Sequence, residues 1–429
     1  MESKLSIFWF RRDLRLYDNT ALFKALNSGN KVIPVFIFDE NILDKLPKND
    51  ARVNFIYNCL QSIQEELQAY NTSILVKIGE LKEIWKSLLT EFSINKVFFN
   101  KDYEPYALQR DEDITSLLKE RGIEVFSYKD QVIFEESEIL KNDDTPYTVY
   151  TPYKKKWLLK FQKELHTKLN YDQRLFVNFY KYRCNYPSLK EIGFTKSAIK
   201  VKPYNLSLLS NYDETRDYPS KNTTSYLSPH LRFGTVSIRQ MVAIALKTNA
   251  IFLSELIWRE FFMQILYHFP QVVTQNFKKK YDALEWRNNE EEFKKWCNGE
   301  TGYPLVDAGM RELNETGYMH NRVRMITASF LCKHLLIDWR WGEAYFASKL
   351  LDYELAANNG NWQWAASTGC DAVPYFRIFN PTEQLRKFDK NLLYTKKWVK
   401  NLEELSYPLP IVEHKYARER ALQTFKKIG

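Results

Sequence analysis

Short apolar segments alternate with longer amphipathic segments over residues 1–130. The apolar segments LSIFWF, VIPVFIF, SILVKI, KVFFN and IEVFSY begin at residues 5, 32, 73, 96 and 123. They have the length and composition of buried strands, and the segments between them are long enough for helices. This alternation predicts an α/β domain over residues 1–130 with a doubly wound parallel sheet of five strands. Folds of this type often bind a ligand beyond their strand ends.

The pattern changes twice along the rest of the chain. Residues 131–205 are polar, rich in tyrosine and proline, and are predicted to form an interdomain connector. From residue 206 onward, apolar positions recur every three or four residues, as in FLSELIWREFFMQILYHF and HNRVRMITASFLCKHLL. Strand signals are scarce there, so residues 206–429 are predicted to form an all-α domain.

The stretch ELAANNGNWQWAAST, residues 354–368, contains amides and indoles but no cation, histidine or cysteine. Asn359 and Gly360 are predicted to end a helix that begins near residue 343. Trp362 and Trp364 then start the next turn, where their spacing makes them face roughly opposite ways. The two indoles are therefore expected to have different roles.

The chain is basic and aromatic, with a net charge of +9 and 15% Phe, Trp and Tyr. Cations and aromatic residues are interleaved in three runs, at residues 153–163, 277–282 and 385–400. This combination indicates a polyanionic partner, most simply nucleic acid. A solvated helix face has the same composition, so charge alone leaves both interpretations open.

The five cysteines lie far apart, and none forms a CxxC pair. This spacing favours reduced thiols in an intracellular protein and argues against a disulfide framework or a metal site. The apolar stretch at the N-terminus is too short for a signal peptide, and no apolar run is long enough to cross a membrane. A cytoplasmic location is expected.

Hydroxyl groups cluster in TTSYLSPHLRFG, residues 223–234. Ser228 before Pro229 predicts a helix with a serine N-cap and proline at its first position. Backbone N–H groups at a helix start, beside hydroxyls, suit a phosphate or pyrophosphate. The chain has neither a GxGxxG nor a Walker A motif, so this cluster does not belong to a common dinucleotide or triphosphate site.

Two predicted helices carry charged side chains within apolar sequence. In SELIWREFF, Glu255 and Trp258 share a helix face, and Arg259 lies one turn from Glu255. Either Glu255 and Arg259 form an intrahelical ion pair, or the carboxylate and the indole line one pocket. In HNRVRM, Arg322 and Arg324 point in different directions and need different partners.

Asp352 offers a carboxylate for a cation such as Arg324. In the predicted helix that contains HNRVRM, Asn321 and Met325 lie one turn apart on the same side, and Arg322 is close to that side. From the residues alone, the helical domain is thus basic and tryptophan-rich, with a phosphate-binding turn and a polar pocket.

Several long motifs together resemble the photolyase/cryptochrome flavoprotein family, over nearly the whole chain. They are FWFRRDLRLYDN, ELIWREFF, TGYPLVDAGMRELNETGYMHNRVRMITASFL, NNGNWQWAASTGCDAVPYFRIFNP and YPLPIVEHKYARERAL. The likeness is closest to class I cyclobutane pyrimidine dimer photolyases. It implies FAD bound in the helical domain and no catalytic metal.

The resemblance implies a set of FAD-binding positions. These are Tyr212, Thr224, Ser225, Tyr226, Leu227, Ser228, Phe252, Arg324, Asp352, Tyr353, Glu354 and Asn358. Within this set, Arg324 and Asp352 match a salt bridge beside the isoalloxazine, and Asn358 matches the residue next to flavin N5. An amide at that position favours repair over signalling.

The implied reaction is light-driven electron transfer from reduced FAD to a pyrimidine dimer flipped out of UV-damaged DNA. Trp258 and Trp364 match the indoles that flank the dimer, and Glu255 matches the residue that hydrogen-bonds the thymine edge. With Met325 and Asn358 these form the catalytic set. The matching DNA-binding positions are Arg216, Glu255, Trp258, Arg259, Phe262, Asn321, Arg322 and Gln384.

Trp362, Trp339 and Trp286 match an electron relay that reduces FAD from the protein surface. The family's usual Asp-x-Asp at the FAD site reads Asp352-Tyr353-Glu354 in this chain. In the antenna region, Tyr106 and Ala107 stand where the closest folate-binding relatives carry Asn and Glu. The presence and identity of a second chromophore are therefore left open. It could be a deazaflavin, FMN or methenyltetrahydrofolate, or there could be none.

Three alternatives to dimer repair remain. They are a cryptochrome-type photosensor, repair of the (6-4) lesion, and a dark flavoprotein electron carrier. The dimer-contacting set and Asn358 argue against the photosensor, and Asn321 and Met325 replace the histidine pair typical of (6-4) enzymes. The expected partner is UV-damaged DNA, and the protein is expected to act as a monomer without an obligate protein partner.

Overall fold

A computed structural model of the chain describes residues 4–164 and 172–428. These residues form two compact units, each assembled from several stretches of chain. The first unit comprises Met1–Glu138, Leu159–Pro203 and Leu227–Ile244. The second unit comprises Ile139–Leu158, Tyr204–Tyr226 and Ala245–Gly429. Both units take part of residues 131–205, which the sequence analysis treats as one connector.

The first unit contains the predicted parallel sheet. Its strands are β1 Leu5–Phe10, β2 Lys31–Asp39, β3 Leu75–Gly79, β4 Ile94–Asn100 and β5 Glu124–Tyr128. They lie in the order β3-β2-β1-β4-β5, and each pair is parallel. The prediction of a doubly wound α/β fold is confirmed.

Both faces of the sheet are covered, which explains why its strands have continuous apolar sequences. Along β1, Phe8 and Phe10 pack into one hydrophobic cluster, whereas Ile7 and Trp9 pack into the cluster on the opposite face. This alternation is the two-residue period of a strand.

Helices account for the rest of the regular structure. In chain order they are α1 Thr20–Leu26, α2 Glu40–Leu43, α3 Ala51–Gln68, α4 Leu81–Glu91, α5 Pro105–Glu120, α6 Tyr150–Lys163, α7 Tyr212–Thr215, α8 Leu227–Phe233, α9 Ile238–Thr248, α10 Ala250–His268, α11 Glu290–Asn298, α12 Pro304–Thr316, α13 Asn321–Ser329, α14 Trp339–Lys349, α15 Leu355–Ala366, α16 Pro381–Phe388, α17 Leu393–Trp398 and α18 His414–Lys426. Short 3-10 segments lie at Gln173–Asn178, Leu206–Asn211, Pro219–Lys221, Pro270–Val273 and Lys279–Ala283, and a π-helical turn lies at Phe330–His334. All five strands of the described residues belong to the first unit, so the prediction of a helical second half is confirmed.

The predicted connector is more regular than its composition suggests, because it contains α6. Tyr150, Tyr153 and Trp157 are the buried residues of this helix, and they recur at helical spacing. The apolar period was therefore present in the sequence, although lysines and a proline obscured it.

Two predicted helix boundaries are wrong. Helix α8 begins at Leu227, so Ser228 and Pro229 lie within its first turn. Proline is tolerated there because the first N–H groups of a helix have no intrahelical partner. Helix α15 runs through Asn359 and Gly360 instead of starting after them.

The reason for Gly360 is close packing. A Cβ at Gly360 would lie 2.1 Å from Cδ1 of Phe262 on α10. The glycine therefore permits the contact between α10 and α15, and it does not mark a helix end.

Candidate functional site

Helix α10 carries the predicted acidic residue and indole within one turn. The Glu255 carboxylate lies 2.6 Å from the Arg216 guanidinium, which follows α7. Burial alone would lower the pKa of Arg216, but the Glu255 carboxylate together with Tyr212 and Asp217 outweighs burial, so the pKa is raised. Both side chains are half-buried. The structure therefore joins two predicted DNA-contacting residues in one ion pair.

The alternative of an intrahelical pair between Glu255 and Arg259 is wrong. Arg259 instead forms an ion pair with Glu354, at 3.1 Å; the Glu354 side chain is buried and that of Arg259 is 12% exposed. Glu354 is the N-cap residue of α15, although its side chain makes no capping hydrogen bond. The Glu354 side chain therefore connects the start of α15 with α10.

Helix α13 holds its two arginines by separate partners, as the sequence predicts. The Arg322 guanidinium lies 2.6 Å from the Asp217 carboxylate and above the Phe388 ring, 4.5 Å from its centroid. The Arg324 guanidinium lies 3.0 Å from the Asp352 carboxylate and donates to the carbonyl of Met319. The predicted pairing of Arg324 with Asp352 is confirmed.

The other residues of α13 face different surroundings. Asn321 is exposed at the start of the helix, and Met325, one turn later, is half-buried. Both lie in the second unit with α10 and α15. Helix α15 packs against both α10 and α13, so side chains from the three helices share one region.

Asn358 lies on α15 with its amide fixed by α14. The amide nitrogen donates to the side chain and to the carbonyl oxygen of Glu343, at 2.9 Å and 3.1 Å. Burial raises the pKa of the Glu343 carboxyl group, and the hydrogen bond from Asn358 partly offsets this rise. Glu343 is a partner that the sequence analysis did not consider.

The two tryptophans of α15 differ in burial. Trp362 is only 2% exposed and belongs to the core of the second unit, whereas Trp364 is half-buried. A Cβ at Gly342 of α14 would lie 2.1 Å from the Trp362 indole. Glycine is thus required for Trp362 to pack against α14.

The other predicted relay tryptophans lie in the same hydrophobic cluster as Trp362. Trp339 is 1% exposed, and its indole N–H donates to the side chain of Asn276 at 2.8 Å. Trp286 is half-buried and contacts the Phe425 ring edge-on, with centroids 6.3 Å apart. Burial therefore decreases from the first two relay positions to the third.

The hydroxyl-rich segment contributes to both units. Tyr212, Thr224, Ser225 and Tyr226 belong to the second unit, whereas Leu227 and Ser228 open α8 in the first. The Tyr226 backbone is left-handed, with a φ of 53°.

Aromatic contacts anchor this segment of the second unit. The ring of Tyr226 contacts that of Tyr318, with centroids 5.1 Å apart. Tyr212 contacts Phe252 of α10 edge-on, with centroids 5.2 Å apart.

The donor set of the second unit fits a flavin nucleotide. Hydroxyl groups at Thr224 and Ser225 suit phosphates, and the Arg324–Asp352 pair suits the polar edge of a heterocycle. The Asn358 amide adds a neutral hydrogen-bonding group whose orientation Glu343 fixes. Tyr353 is half-buried beside these residues in sequence.

Two predicted DNA-binding positions differ in exposure, and the prediction for Phe262 is wrong because its side chain is buried. Phe262 is only 4% exposed, and its ring lies 5.4 Å from that of Trp258. The structure thus gives Phe262 a place beneath Trp258 and away from the surface. Gln384, on α16, is half-buried.

The antenna positions lie at the carboxyl ends of the strands in the first unit. Tyr106 is exposed in the first turn of α5, and its hydroxyl donates to the carboxylate of Asp39 at the end of β2. Ala107 is buried. Tyr106 helps to line a cavity of about 120 Å³ together with residues such as Glu80 and Arg110.

Tyr150 was missed as a neighbour of the site. It lies in α6, and its ring stacks on Trp258 with a centroid distance of 3.6 Å and an interplanar angle of 9°. The helical spacing of Tyr150, Tyr153 and Trp157 was the available signal, but it predicts a buried face and not this partner.

The five cysteines are free thiols. Within residues 4–164 and 172–428, no group of three or more histidine, cysteine or acidic side chains could hold a metal ion. Among the helices of the described residues, none combines the length and apolarity needed to cross a membrane.

A parallel α/β unit and a helical unit with this donor set are compatible with a flavoprotein that binds a nucleotide cofactor. Residues 6–170 match the DNA photolyase family model, and residues 252–406 match the FAD binding domain of DNA photolyase. A deoxyribodipyrimidine photo-lyase from Vibrio cholerae is 37% identical, over 98% of this chain and 99% of its own length. The chain belongs to the DNA photolyase family. The FAD prediction is confirmed.

Solved structures show the same fold over the whole chain. A bacterial class III photolyase from Agrobacterium tumefaciens has a TM-score of 0.88 and 34% identity, covering 100% of this chain and 98% of that one. An archaeal photolyase from Sulfolobus tokodaii, with two FAD molecules, has a TM-score of 0.85 and 35% identity, covering 99% of this chain and 100% of that one. Two points stay predictions: that the chain most resembles the class I enzymes, and that it binds a second chromophore of a particular kind.

Proposed function

We propose that the chain repairs cyclobutane pyrimidine dimers in UV-damaged DNA when it absorbs light. When bound and fully reduced, FAD supplies the electron that light excitation transfers to a flipped-out dimer. The reaction needs no nucleophile from the protein. The relatives named above as photolyases support this proposal.

The side chains of the second unit recognise and orient the lesion. Trp258 and Trp364 offer indole surfaces on which the two bases stack. Glu255 accepts a hydrogen bond from the thymine edge and is held in place by Arg216. Asn321, Arg322 and Met325 make the other contacts to the dimer.

Other residues hold the cofactor. Arg324 and Asp352 bind the heterocycle edge as a preformed pair, and Asn358 places a neutral amide beside it. Glu343 fixes the Asn358 amide through two hydrogen bonds, so the group is oriented before the cofactor binds. Trp362, Trp339 and Trp286 carry an electron from the surface when the cofactor is oxidised.

One observation carries the proposal. Helix α15 packs against both α10 and α13, and these three helices bear the side chains that match the family's contacts to the lesion. The set comprises Glu255, Trp258, Asn321, Arg322, Met325 and Trp364. A photosensor or a dark electron carrier has no use for this set.

The test is repair of defined lesions. Chemically reduced protein is illuminated with oligonucleotides that carry either a cyclobutane thymine dimer or a (6-4) lesion, and dark samples serve as controls. We expect recovery of thymine absorbance for the dimer alone, and only in the light. Repair of the (6-4) lesion alone, or of neither lesion, would contradict the proposal.

A further inference from the structure

Trp258 is packed face to face by a residue outside the helical segments that carry the other site residues. The Tyr150 ring lies 3.6 Å from the Trp258 ring, centroid to centroid, and the planes differ by 9°. Phe261 contacts both rings edge-on, at interplanar angles of 73° and 81°. Phe262 also packs against the indole, with centroids 5.4 Å apart and planes that differ by 29°. Of these three neighbours, Tyr150 makes the closest and most nearly parallel contact.

Tyr150 is itself held rigidly. Its hydroxyl lies 2.7 Å from the backbone carbonyl and 2.6 Å from the hydroxyl of Ser254, which belongs to the same helix as Trp258. Burial raises the pKa of Tyr150, so its hydroxyl remains protonated and donates to the carbonyl. The Tyr150 backbone N–H donates to the Asp371 carboxylate at 3.1 Å. The ring is 7% exposed.

Trp258 remains half-buried in spite of this stack. We infer that Tyr150 is a positioning residue that fixes the Trp258 indole as a preformed stacking surface for the pyrimidine dimer. The inference rests on the proposed function, because it assigns Trp258 to the lesion. Its physical basis is preorganisation, since an indole held in one orientation loses less conformational entropy when a base stacks on it.

We expect the ring of Tyr150, and not its hydroxyl, to contribute to the selective binding of damaged DNA. Aromatic pairs add a binding or packing contribution equivalent to roughly a 2- to 10-fold change in an equilibrium constant. Tyr150→Leu removes the stack while keeping an apolar side chain, and Tyr150→Phe keeps the stack while removing both hydrogen bonds to Ser254. The two variants therefore separate the ring from its anchor.

The experiment measures binding in the dark, at one salt concentration, of matched oligonucleotides with and without a thymine dimer. We expect Tyr150→Leu to weaken binding of the damaged oligonucleotide by about 5- to 10-fold. The affinity of Tyr150→Leu for undamaged DNA should stay within about 2-fold of the wild-type value, because this binding depends mainly on phosphate contacts. Tyr150→Phe keeps the selectivity of the wild type, and so does Tyr416→Leu, a control at an exposed position of α18.

The outcomes separate the inference from the proposed function. A wild type that binds both oligonucleotides equally overturns the proposed function itself. A selective wild type with an equally selective Tyr150→Leu overturns only the role of Tyr150. If Tyr150→Leu loses its bound flavin or its fold, Tyr150→Phe becomes the test. Loss of selectivity in folded Tyr150→Phe then overturns the role of the Tyr150 ring. At saturating damaged DNA, Tyr150→Leu should repair at the wild-type rate, because only recognition is altered.

Discussion

Glu255 and Arg259 lie one helical turn apart, yet each pairs with a residue from another part of the helical unit. Glu255 pairs with Arg216, and Arg259 pairs with Glu354. Helical spacing alone cannot predict these partners, because exposed intrahelical pairs contribute only about 0.3–0.5 kcal/mol and tertiary contacts easily outweigh them. By contrast, Arg324 and Asp352 were predictable, since a cation in an apolar helix requires a counter-ion.

Replacing Glu255 by glutamine tests the acidic side chain at the lesion. The substitution keeps the volume but removes the charge that Arg216 contacts and that, in the proposed function, accepts a hydrogen bond from the thymine edge. We expect repair at saturating dimer to slow by about 10- to 100-fold, the loss typical of one charged hydrogen bond. The measurement is the initial repair rate under constant light. Glu291→Gln, at an exposed position of α11, should repair at the wild-type rate.

Asp130 provides a residue-scale test of stability in the first unit. Its buried carboxylate pairs with Arg15 and Arg239, at 2.5 Å and 2.8 Å. Burial would raise the pKa of Asp130, but the two guanidinium groups outweigh it and lower the pKa to about 2. Asp130→Asn should reduce the free energy of unfolding by about 3 kcal/mol, because it removes the carboxylate that pairs with Arg15 and leaves Arg239 with Asp18 alone.

The pH dependence of this loss has a definite sign. Because the carboxyl pKa is lower in the folded state than the unfolded value of about 4, its stabilisation is complete above that pH. The stability difference between wild type and Asp130→Asn in urea unfolding should therefore narrow below about pH 4. Asp113→Asn, which removes an exposed pair with Lys82, should cost at most about 1 kcal/mol. An equal loss in both variants would contradict the account.

At the scale of elements, strands were predictable and helix limits were less so. Buried parallel strands have continuous apolar sequences, so all five were found from the pattern. Helix α15 was split wrongly because Asn359-Gly360 resembles a helix end, whereas the local cause is the approach of Phe262. Helix α6 was missed because its apolar face is made of tyrosine and tryptophan among lysines.

Gly360→Ala tests this packing. Alanine in a helix interior is normally about 1 kcal/mol more favourable than glycine. Here a Cβ would lie 2.1 Å from Phe262, and overpacking of this kind costs about 1–3 kcal/mol. We therefore expect a net loss of stability in thermal or urea unfolding.

A double variant identifies the cause of that loss. Phe262→Leu combined with Gly360→Ala should recover part of the stability, because the smaller side chain makes room for the new Cβ. Asn361→Ala, on the exposed face of the same helix, should stay within about 0.5 kcal/mol of the wild type. A stabilised Gly360→Ala would show that α10 and α15 do not pack as described.

At the scale of the whole molecule, the sequence indicates the chemistry through its motifs more than through its composition. Net charge and aromatic content suggest nucleic acid but do not distinguish a stacking indole from a core one. The structure separates Trp364, half-buried, from Trp362 in the core. It also adds Glu343 and Tyr150, whose contacts arise only when distant segments fold together.

Trp286→Phe tests whether electrons reach the cofactor through the tryptophan relay. Phenylalanine is much harder to oxidise than tryptophan, so photoreduction of oxidised FAD by an external reductant should slow at least severalfold. Repair by chemically reduced protein should be unchanged. Trp341→Phe, at another half-buried tryptophan of the same hydrophobic cluster, is the matched control and should behave like the wild type. Equal loss of photoreduction and repair in Trp286→Phe would refute the relay.

The most direct test of light-driven electron transfer to the lesion is the excited-state lifetime of the reduced flavin in the protein. It should be measured without DNA, with an undamaged oligonucleotide and with the same oligonucleotide carrying a thymine dimer. The account predicts that only the damaged oligonucleotide shortens the lifetime, because only the dimer accepts the electron. A lifetime that is the same with damaged and undamaged DNA, at concentrations where both are bound, would contradict it.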